Sequence, residues 1–378
     1  MKNLCFTMYQ FQVGGCEQVF LQTSRSLENE ILLATVIPSY NEELIGSLPK
    51  NVTLLNHRNI AILKYLSWLL KLPGGNILYS FLSMWIIPHY LRRIHHKKDI
   101  QYVNFSDTLS SLYIAVKASV STKAISWIQC RPSALRNSKS YKKYISLLKQ
   151  CKELVFICYD QKKELQDNED ISPAHCTVIY NPIDRKAIVE KSLYPVNYNK
   201  AYICLVSRLD ERSKDFKTPI AAYSKLPDSI RNSTDLLIIG DGPDKEKVKG
   251  YIDELSLNNH VKLIGADTNP YRWMKNSDLF LFSSKNEGLG LVILEALACG
   301  KYVIATDCPV GPGEILESSN KCGSLVKVGD TDGFTELIIR YYNNPHSIDP
   351  LLSNASIRLE DFSIETFKKK LYNLFNKF

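Results

Sequence analysis

The chain has 378 residues, 45% hydrophobic and 23% charged, the balance of a soluble globular protein with room for two domains and two cores. Ten cysteines with no C-x-x-C pair and no metal-ligand spacing argue against a disulfide framework or a zinc site, and fit buried thiols in a reducing cytoplasm. The net charge of +8 is lopsided: residues 1–190 hold 23 Lys and Arg against 15 Asp and Glu, whereas residues 191–378 hold 24 of each, so the first half is expected to face something anionic.

Taken in order, the chain alternates apolar runs with helical patterns. Leu4–Tyr9 is expected as a first strand. Gly14-Gly15-Cys16-Glu17 then turns into a helix through Glu30, and Ile31–Ile37 is a second strand. No signal-peptide pattern precedes them. Further strands are expected at Asn51–Leu55, Ile100–Phe105, Ala124–Gln129, Leu154–Tyr159 and Cys176–Tyr180. Asn181 to Lys200 lacks periodicity and reads as a junction. The alternation then resumes, with strands at Ala201–Val206, Asp235–Ile239, Val261–Ile264, Leu279–Phe282, Tyr302–Ala305 and Ser324–Val328. Helices are expected to start near Pro219, Asp244, Asn269, Leu289 and Asp332. Such regular alternation implies parallel sheets covered by helices, hence an α/β protein of two doubly wound, Rossmann-like domains facing across a cleft. The expected division is 1–185, 186–360 and a basic amphipathic C-terminal helix within 361–378 that crosses back to the first domain.

One segment breaks the pattern. Ile60 to Tyr90 is largely apolar and aromatic, interrupted by Lys64, Lys71 and Pro73-Gly74-Gly75, and is followed by Arg92, Arg93, His95, His96, Lys97 and Lys98. Neither apolar piece reaches the roughly 20 residues that span a bilayer. Two readings stand, a pair of core helices or a surface that dips into an anionic membrane interface. The charge excess favours the second, as does the acid-free basic run from Arg131 through Lys152. Nucleic-acid binding explains the charge less well, because no recognition motif accompanies it and the apolar neighbour has no role there.

The most informative stretch is Asn286 to Gly300, a Gly-Leu-Gly turn opening an apolar helix that stops at a glycine. Glu287 lies before that helix and Glu295 about two turns inside it, at most about 12 Å apart along the axis. The helix N-terminus between them suits a phosphate. A ligand with a central diphosphate and a hydroxyl-rich ring at each end, a nucleotide-sugar, would fit. The plainer reading is a strand, a turn and a buried helix whose acids are incidental. Against it, an unpaired carboxylate in an apolar helix is costly.

Several runs together resemble a family 4 retaining glycosyltransferase of the GT-B fold, over most of the chain. They are the Glu287/Glu295 spacing, Val206-Ser207-Arg208-Leu209 followed by Ser213-Lys214, Ile239-Gly240-Asp241-Gly242-Pro243, Val261–Gly265, Thr306–Glu314, and the Gly14-Gly15-Cys16-Glu17 loop. The resemblance implies that Arg208 and Lys214 hold and stabilise the departing diphosphate, a job in which fixed cations contribute several kcal/mol. It implies that Glu295 grips the ribose hydroxyls, that Glu287 orients the transferred sugar, and that the backbone at Gly288, Leu289 and Gly290 meets the phosphates. Gly14 and Gly15 would let the first domain approach the same phosphates, Ile264 would meet the base, and Glu17 and Gln129 would lie on the sugar and acceptor side. Two departures are visible. Gln129 stands where many relatives carry a His, and it can donate a hydrogen bond but cannot take a proton. One extra residue separates Arg208 from Lys214.

The implied activity is transfer of a hexose or N-acetylhexosamine from a nucleoside-diphosphate sugar, UDP foremost, to a lipid-linked glycan at the inner face of the cell membrane, in O-antigen, capsule or lipopolysaccharide assembly. Neither a metal nor a cofactor is expected, since the cations above can do a metal's electrostatic work. The alternative, resting on Gln129, is a catalytically silent nucleotide-sugar-binding partner of a membrane complex. A sugar-nucleotide epimerase lacks a convincing acid/base set, and a nicotinamide dehydrogenase lacks the G-x-G-x-x-G run.

Overall fold

The computed structural model describes residues 3–11, 15–27, 31–40, 46–55, 61–94, 100–119, 123–131, 136, 138–172, 175–317 and 321–377. The chain divides into two compact units. Residues 1–181 with 368–378 form the first, and residues 182–367 form the second. The last helix, Ile364–Asn376, therefore begins in the second unit and ends in the first, where the Lys370 ammonium lies 5.0 Å from the Tyr180 ring.

The first unit is built on seven parallel strands: β1 (Asn3–Phe11), β2 (Ile31–Tyr40), β3 (Val52–Leu55), β4 (Ile100–Asn104), β5 (Ile125–Ile128), β6 (Glu153–Phe156) and β7 (Cys176–Val178). Their order across the sheet is β3-β2-β1-β4-β5-β6-β7. β4, β5 and β6 are buried at every residue, as strands covered on both faces must be, and their polar members find partners inside, Asn104 Nδ2 donating to Ser126 Oγ at 2.9 Å. Phe6, Phe20 and Phe105 pack edge-to-face with ring centroids 5.4 to 5.7 Å apart, and Trp127 lies 5.1 Å from Phe105. All four rings are fully buried, and each such side chain stabilises the fold by on the order of 2–3 kcal/mol.

The second unit repeats the plan with six strands: β8 (Ala201–Val206), β9 (Thr234–Ile239), β10 (Val261–Gly265), β11 (Phe280–Phe282), β12 (Val303–Thr306) and β13 (Ser324–Val326). All are parallel, in the order β10-β9-β8-β11-β12-β13. Ile203, Leu205, Leu236, Ile238, Leu281 and Ile304 from these strands meet Phe216, Ile220, Tyr223, Phe334 and Ile338 from the covering helices in one core.

In both sheets the strand order reverses between the first and fourth strands, β1/β4 and β8/β11. Loops leaving the carboxyl ends of strands on either side of such a switch diverge and leave a crevice, the usual ligand site of doubly wound sheets. The residues that matter below leave the second sheet at this edge.

The apolar segment after β3 forms a short helix, Ala61–Leu66, a single 3₁₀ stretch, Ser67–Lys71, and the long helix Gly75–Ile94. Among the described residues no helix is long and apolar enough to cross a membrane.

Candidate active site

The loop after β8 and the loop after β11 are fastened together. Lys285 and Asn286 donate backbone N–H groups to the Ser213 carbonyl at 2.7 and 3.2 Å, and Asp215 N–H reaches the Ser283 carbonyl at 3.3 Å. Glu211 adds an ion pair to Lys285 at 2.9 Å. Beneath them, the Ser284 backbone N–H donates to the Thr306 hydroxyl, which donates back to the Ser284 carbonyl, each at 2.8 Å.

This bracing brings Lys214 to Glu287. The ammonium donates to Glu287 Oε1, with both side chains mostly buried, and sits 5.3 Å from the Phe282 ring. Ser284 Oγ donates to the same Oε1 at 2.6 Å. Both contacts fall on one carboxylate oxygen, which leaves Oε2 for another donor. Lys214 likewise has three protons and shows one carboxylate partner. The pair can therefore hold a phosphate oxygen through its cation and a sugar hydroxyl through its anion at once.

Arg208 stands differently. Its guanidinium is exposed and 3.7 Å from Asp210, whose carboxylate is gripped at 2.6 and 2.8 Å by Arg212. Hydrogen bonding from Arg212 holds the Asp210 carboxyl down, at about 2. Arg208 thus reaches solvent from the loop that carries Lys214, two residues past the end of β8, with only a long contact to restrain it.

Glycines set the backbone of this edge. Gly240 has φ +149°, and a Cβ there would stand 1.9 Å from the Ser207 carbonyl oxygen. The run after β9 consequently packs directly on the loop that begins at Ser207. Gly290, at φ +93°, precedes the helix Leu291–Ala298. That left-handed residue delays the helix start from the expected Leu289 to Leu291. Glu295 is therefore its fifth residue, little more than one turn in rather than two. Gly288 and Leu289 belong to the turn itself, and Gly311 closes over it so tightly that a Cβ would meet the Leu289 carbonyl oxygen at 2.3 Å.

Glu295 is half-buried and accepts a hydrogen bond from the Tyr271 hydroxyl at 3.3 Å. Burial among apolar neighbours pushes its carboxyl up to about 7, with the Tyr271 bond opposing the rise. Ile264 occupies a bulge in the pairing of β10 with β9 and is partly exposed at the end of the strand.

In the first unit, Glu17 is buried in the first turn of the helix Gly15–Ser26, and Gly15 begins that helix. Gly14 lies outside the described residues. Gln129 follows β5 and is buried. Its Oε1 accepts from Asn181 Nδ2 at 2.9 Å, while its Nε2 has no partner among the described residues. The residue that shapes this turn is Asp107, in the loop after β4. Its carboxylate accepts the backbone N–H groups of Gln129 at 3.0 Å and Cys130 at 2.6 Å, and the Tyr144 hydroxyl at 3.4 Å. Burial outweighs these bonds and raises its carboxyl to about 6. Asp107, Ser284 and Tyr271 do not belong to the sequence motifs. Asp107 had one signal available, since it is the only acid between residues 100 and 152.

Residues 189–356 match the family described as Glycosyl transferases group 1. A Campylobacter jejuni N-acetylgalactosamine-N,N'-diacetylbacillosaminyl-diphospho-undecaprenol 4-alpha-N-acetylgalactosaminyltransferase is 35% identical over 195 residues, 51% of each chain. The lipopolysaccharide 1,6-galactosyltransferase of Escherichia coli is 25% identical over 279 residues, 72% of each. The chain spans about half the length of the first of these relatives. Among solved structures, Anabaena Alr3699/HepE in complex with UDP and glucose superposes with a TM-score of 0.77 at 16% identity over 99% of both chains. The lipopolysaccharide outer core galactosyltransferase WaaB does so with a TM-score of 0.72 at 19% identity over the whole of both. The chain has the GT-B fold, and its residues 189–356 are similar to the glycosyl transferases group 1 family.

Proposed function

We propose that this protein is a retaining glycosyltransferase that moves a hexose or N-acetylhexosamine from a UDP-sugar to a lipid-linked glycan during surface-polysaccharide assembly. The observation that carries the reading is the Lys214–Glu287 pair, buttressed by Ser284 at the switch point of the second sheet. A cation for the departing diphosphate and an anion for the sugar hydroxyls stand in contact, on loops whose backbones are tied together. The relatives support the acceptor class by their names, one acting on a diphospho-undecaprenol glycan and another on lipopolysaccharide, and a neighbour in fold was solved in complex with UDP and glucose.

In the proposed reaction the acceptor hydroxyl attacks the anomeric carbon from the face the phosphate leaves. The carbon–oxygen bond to the diphosphate breaks, the bond to the acceptor forms, and the acceptor's proton passes to the departing phosphate oxygen. Lys214, with Arg208 swinging in from solvent, neutralises the charge that grows on that phosphate, a term that needs no metal ion. Glu287 Oε2 orients the sugar, and ionised Glu295 accepts from the ribose hydroxyls. Gln129 has a hydrogen-bond donor to offer and no proton to exchange, which suits a route in which the leaving group is the base.

Titration with UDP followed by radiolabelled UDP-sugars in the presence of membranes tests this. Binding of UDP and transfer of label into lipid-extractable material are expected. UDP binding without transfer from any common donor would instead identify the silent binding subunit, and no UDP binding at all would remove the reading.

A further inference from the structure

The helix Gly75–Ile94 carries two apolar stripes where a surface helix needs one. Tyr79, Ser83, Ile87 and Leu91 recur every four residues and are buried against the first unit. Ile77, Phe81 and Trp85 recur at the same spacing on another side and face solvent, Ile77 with 73% and Trp85 with 63% of its surface exposed. Ile62, Tyr65 and Trp68, in the turns just before, extend the same character, Tyr65 being 81% exposed. Residues 62–85 hold eight of the sixteen large exposed hydrophobics among the described residues. Scattered exposed apolar residues need no explanation, but such a concentration marks an interaction surface.

The charge around this face indicates what covers it. Residues 44–98 contain eight Lys and Arg and no acid. Lys64 and Lys71 are exposed beside the first turns, and Arg92 and Arg93 are exposed where the long helix ends. Near the same end the Lys143 and Lys117 ammoniums lie 5.4 and 5.9 Å from the Tyr113 ring, itself 6.4 Å from the Trp85 ring. Aromatic and aliphatic side chains rimmed by cations, with no acid among them, complement a surface that is apolar inside and anionic outside. A second copy of this face would bring cation against cation. Among the described residues no helix is long and apolar enough to cross a membrane, so a bilayer would meet this one side-on.

We propose that residues 62–93 form the docking face of the first unit on an anionic lipid bilayer, with Tyr65, Trp68, Ile77, Phe81 and Trp85 entering the interface and the cations seated among phosphate headgroups. This deepens the reading of a membrane-borne acceptor, on which its purpose rests, by naming the surface that meets the membrane.

Trp68 and Trp85 report on the contact, because the other two tryptophans, Trp127 and Trp273, are buried. The full chain is mixed with vesicles of phosphatidylglycerol and phosphatidylethanolamine, and separately with phosphatidylcholine alone. Co-flotation with the anionic vesicles, a blue shift, and quenching by brominated acyl chains that disappears in a Trp68→Phe, Trp85→Phe variant are expected. Phe81→Glu with Trp85→Glu should lower partitioning at least about tenfold at unchanged melting temperature, and salt should weaken binding of the parent. Vesicle binding unaffected by the double glutamate variant would overturn the proposal, as would no binding by the parent. A dimer in sedimentation that the same variant splits, without vesicle binding, would assign the face to a second copy and also overturn it. UDP titrated into that variant keeps the parent's affinity. Failure of UDP to bind the parent would refute the donor reading while leaving the vesicle result standing.

Discussion

Each sheet places an acid in the loop after its fourth strand, Asp107 after β4 and Glu287 after β11, and the two acids are used in opposite ways. Glu287 is held by two side chains, Lys214 and Ser284, through one oxygen. Asp107 is held mainly by backbone, the N–H groups of Gln129 and Cys130. The first arrangement keeps a charge partnered and ready to be shared with a ligand. The second uses a carboxylate as a brace for a turn. On the proposed reading one topology supports chemistry in one unit and positioning in the other, and the difference lies in whether the loop after the first strand supplies a cation. In the second unit that loop supplies Lys214. In the first unit, residues 12–14 of the corresponding loop fall outside the described residues, and Gly14-Gly15 stands there in sequence.

The comparison breaks most readily at the ion pair. Lys214→Ala should lower kcat/KM by roughly 10²–10³-fold, the loss typical of one donor to a developing oxyanion. Glu287→Gln keeps the shape and should depress turnover more than UDP affinity. Steady-state kinetics with the best donor separate the two effects, and parental kcat in both variants would show that the pair is only structural. A smaller effect, on stability, comes from the glycine that seats this loop. Gly240→Ala puts a Cβ onto the Ser207 carbonyl at an unfavourable φ and should destabilise by about 2–4 kcal/mol in urea unfolding. Gly250→Ala, in the helix Lys245–Glu254 with nothing within 4 Å, should stabilise by about 0.5–1 kcal/mol and serves as its control.

Much of this was legible in the sequence, and the gaps have physical causes. Parallel strands buried on both faces read as apolar runs, so the strands of both sheets were found close to where they lie. The eight-residue interval from Glu287 to Glu295 drew attention to the loop whose Glu287 the structure pairs with Lys214. The turn count between them was wrong because a left-handed Gly290 consumes two positions that periodicity alone assigns to the helix. The structure pairs Lys214 with Glu287, 73 residues away along the chain. Contacts across that separation leave no local pattern. The segment after Ile60 divided the reading between core and interface because its long helix is apolar on two sides, one stripe buried and the other exposed. The role of Asp107 was missed because its nearest partners are main-chain groups, which no side-chain motif can reveal.

Glu295 sharpens the comparison through pH. Its carboxyl stands at about 7 in the folded chain against about 4.5 unperturbed, so the folded state holds the proton more tightly. The stability it lends is fully present below about pH 4.5 and is lost as pH rises through about 7, of order 1–2 kcal/mol once its partial exposure is allowed for. Glu295→Gln should abolish that slope in melting curves. Donor binding should run the other way, because ribose hydroxyls donate best to the ionised carboxylate. UDP affinity of the parent should therefore climb as pH rises through 7, and that of the glutamine variant should be weaker and flat. A parental profile as flat as the variant's would take Glu295 out of the donor site.

Asp107 gives the smallest effect and the test that distinguishes a brace from a catalytic group. Its carboxyl is raised from 3.8 to about 6, so its contribution to stability is complete below about pH 4 and is lost as pH rises through 6. Asp107→Asn keeps one oxygen for the Gln129 and Cys130 N–H groups and removes the buried charge. At pH 7.5 the loss of charge-assisted bonding and the relief of burial oppose each other, and the net change in unfolding free energy should stay within about 1 kcal/mol. What should change is the shape of the pH–stability curve, whose fall between pH 4 and 6 is predicted to flatten. If Asp107 acts by holding the 129–130 turn, the variant should raise KM for the acceptor or sugar by a few-fold and leave the pH dependence of kcat where it was. A shift in the kcat profile near pH 6 that vanishes in Asp107→Asn would instead make Asp107 a proton-transfer group, and the two loops would then be alike in function as well as in place.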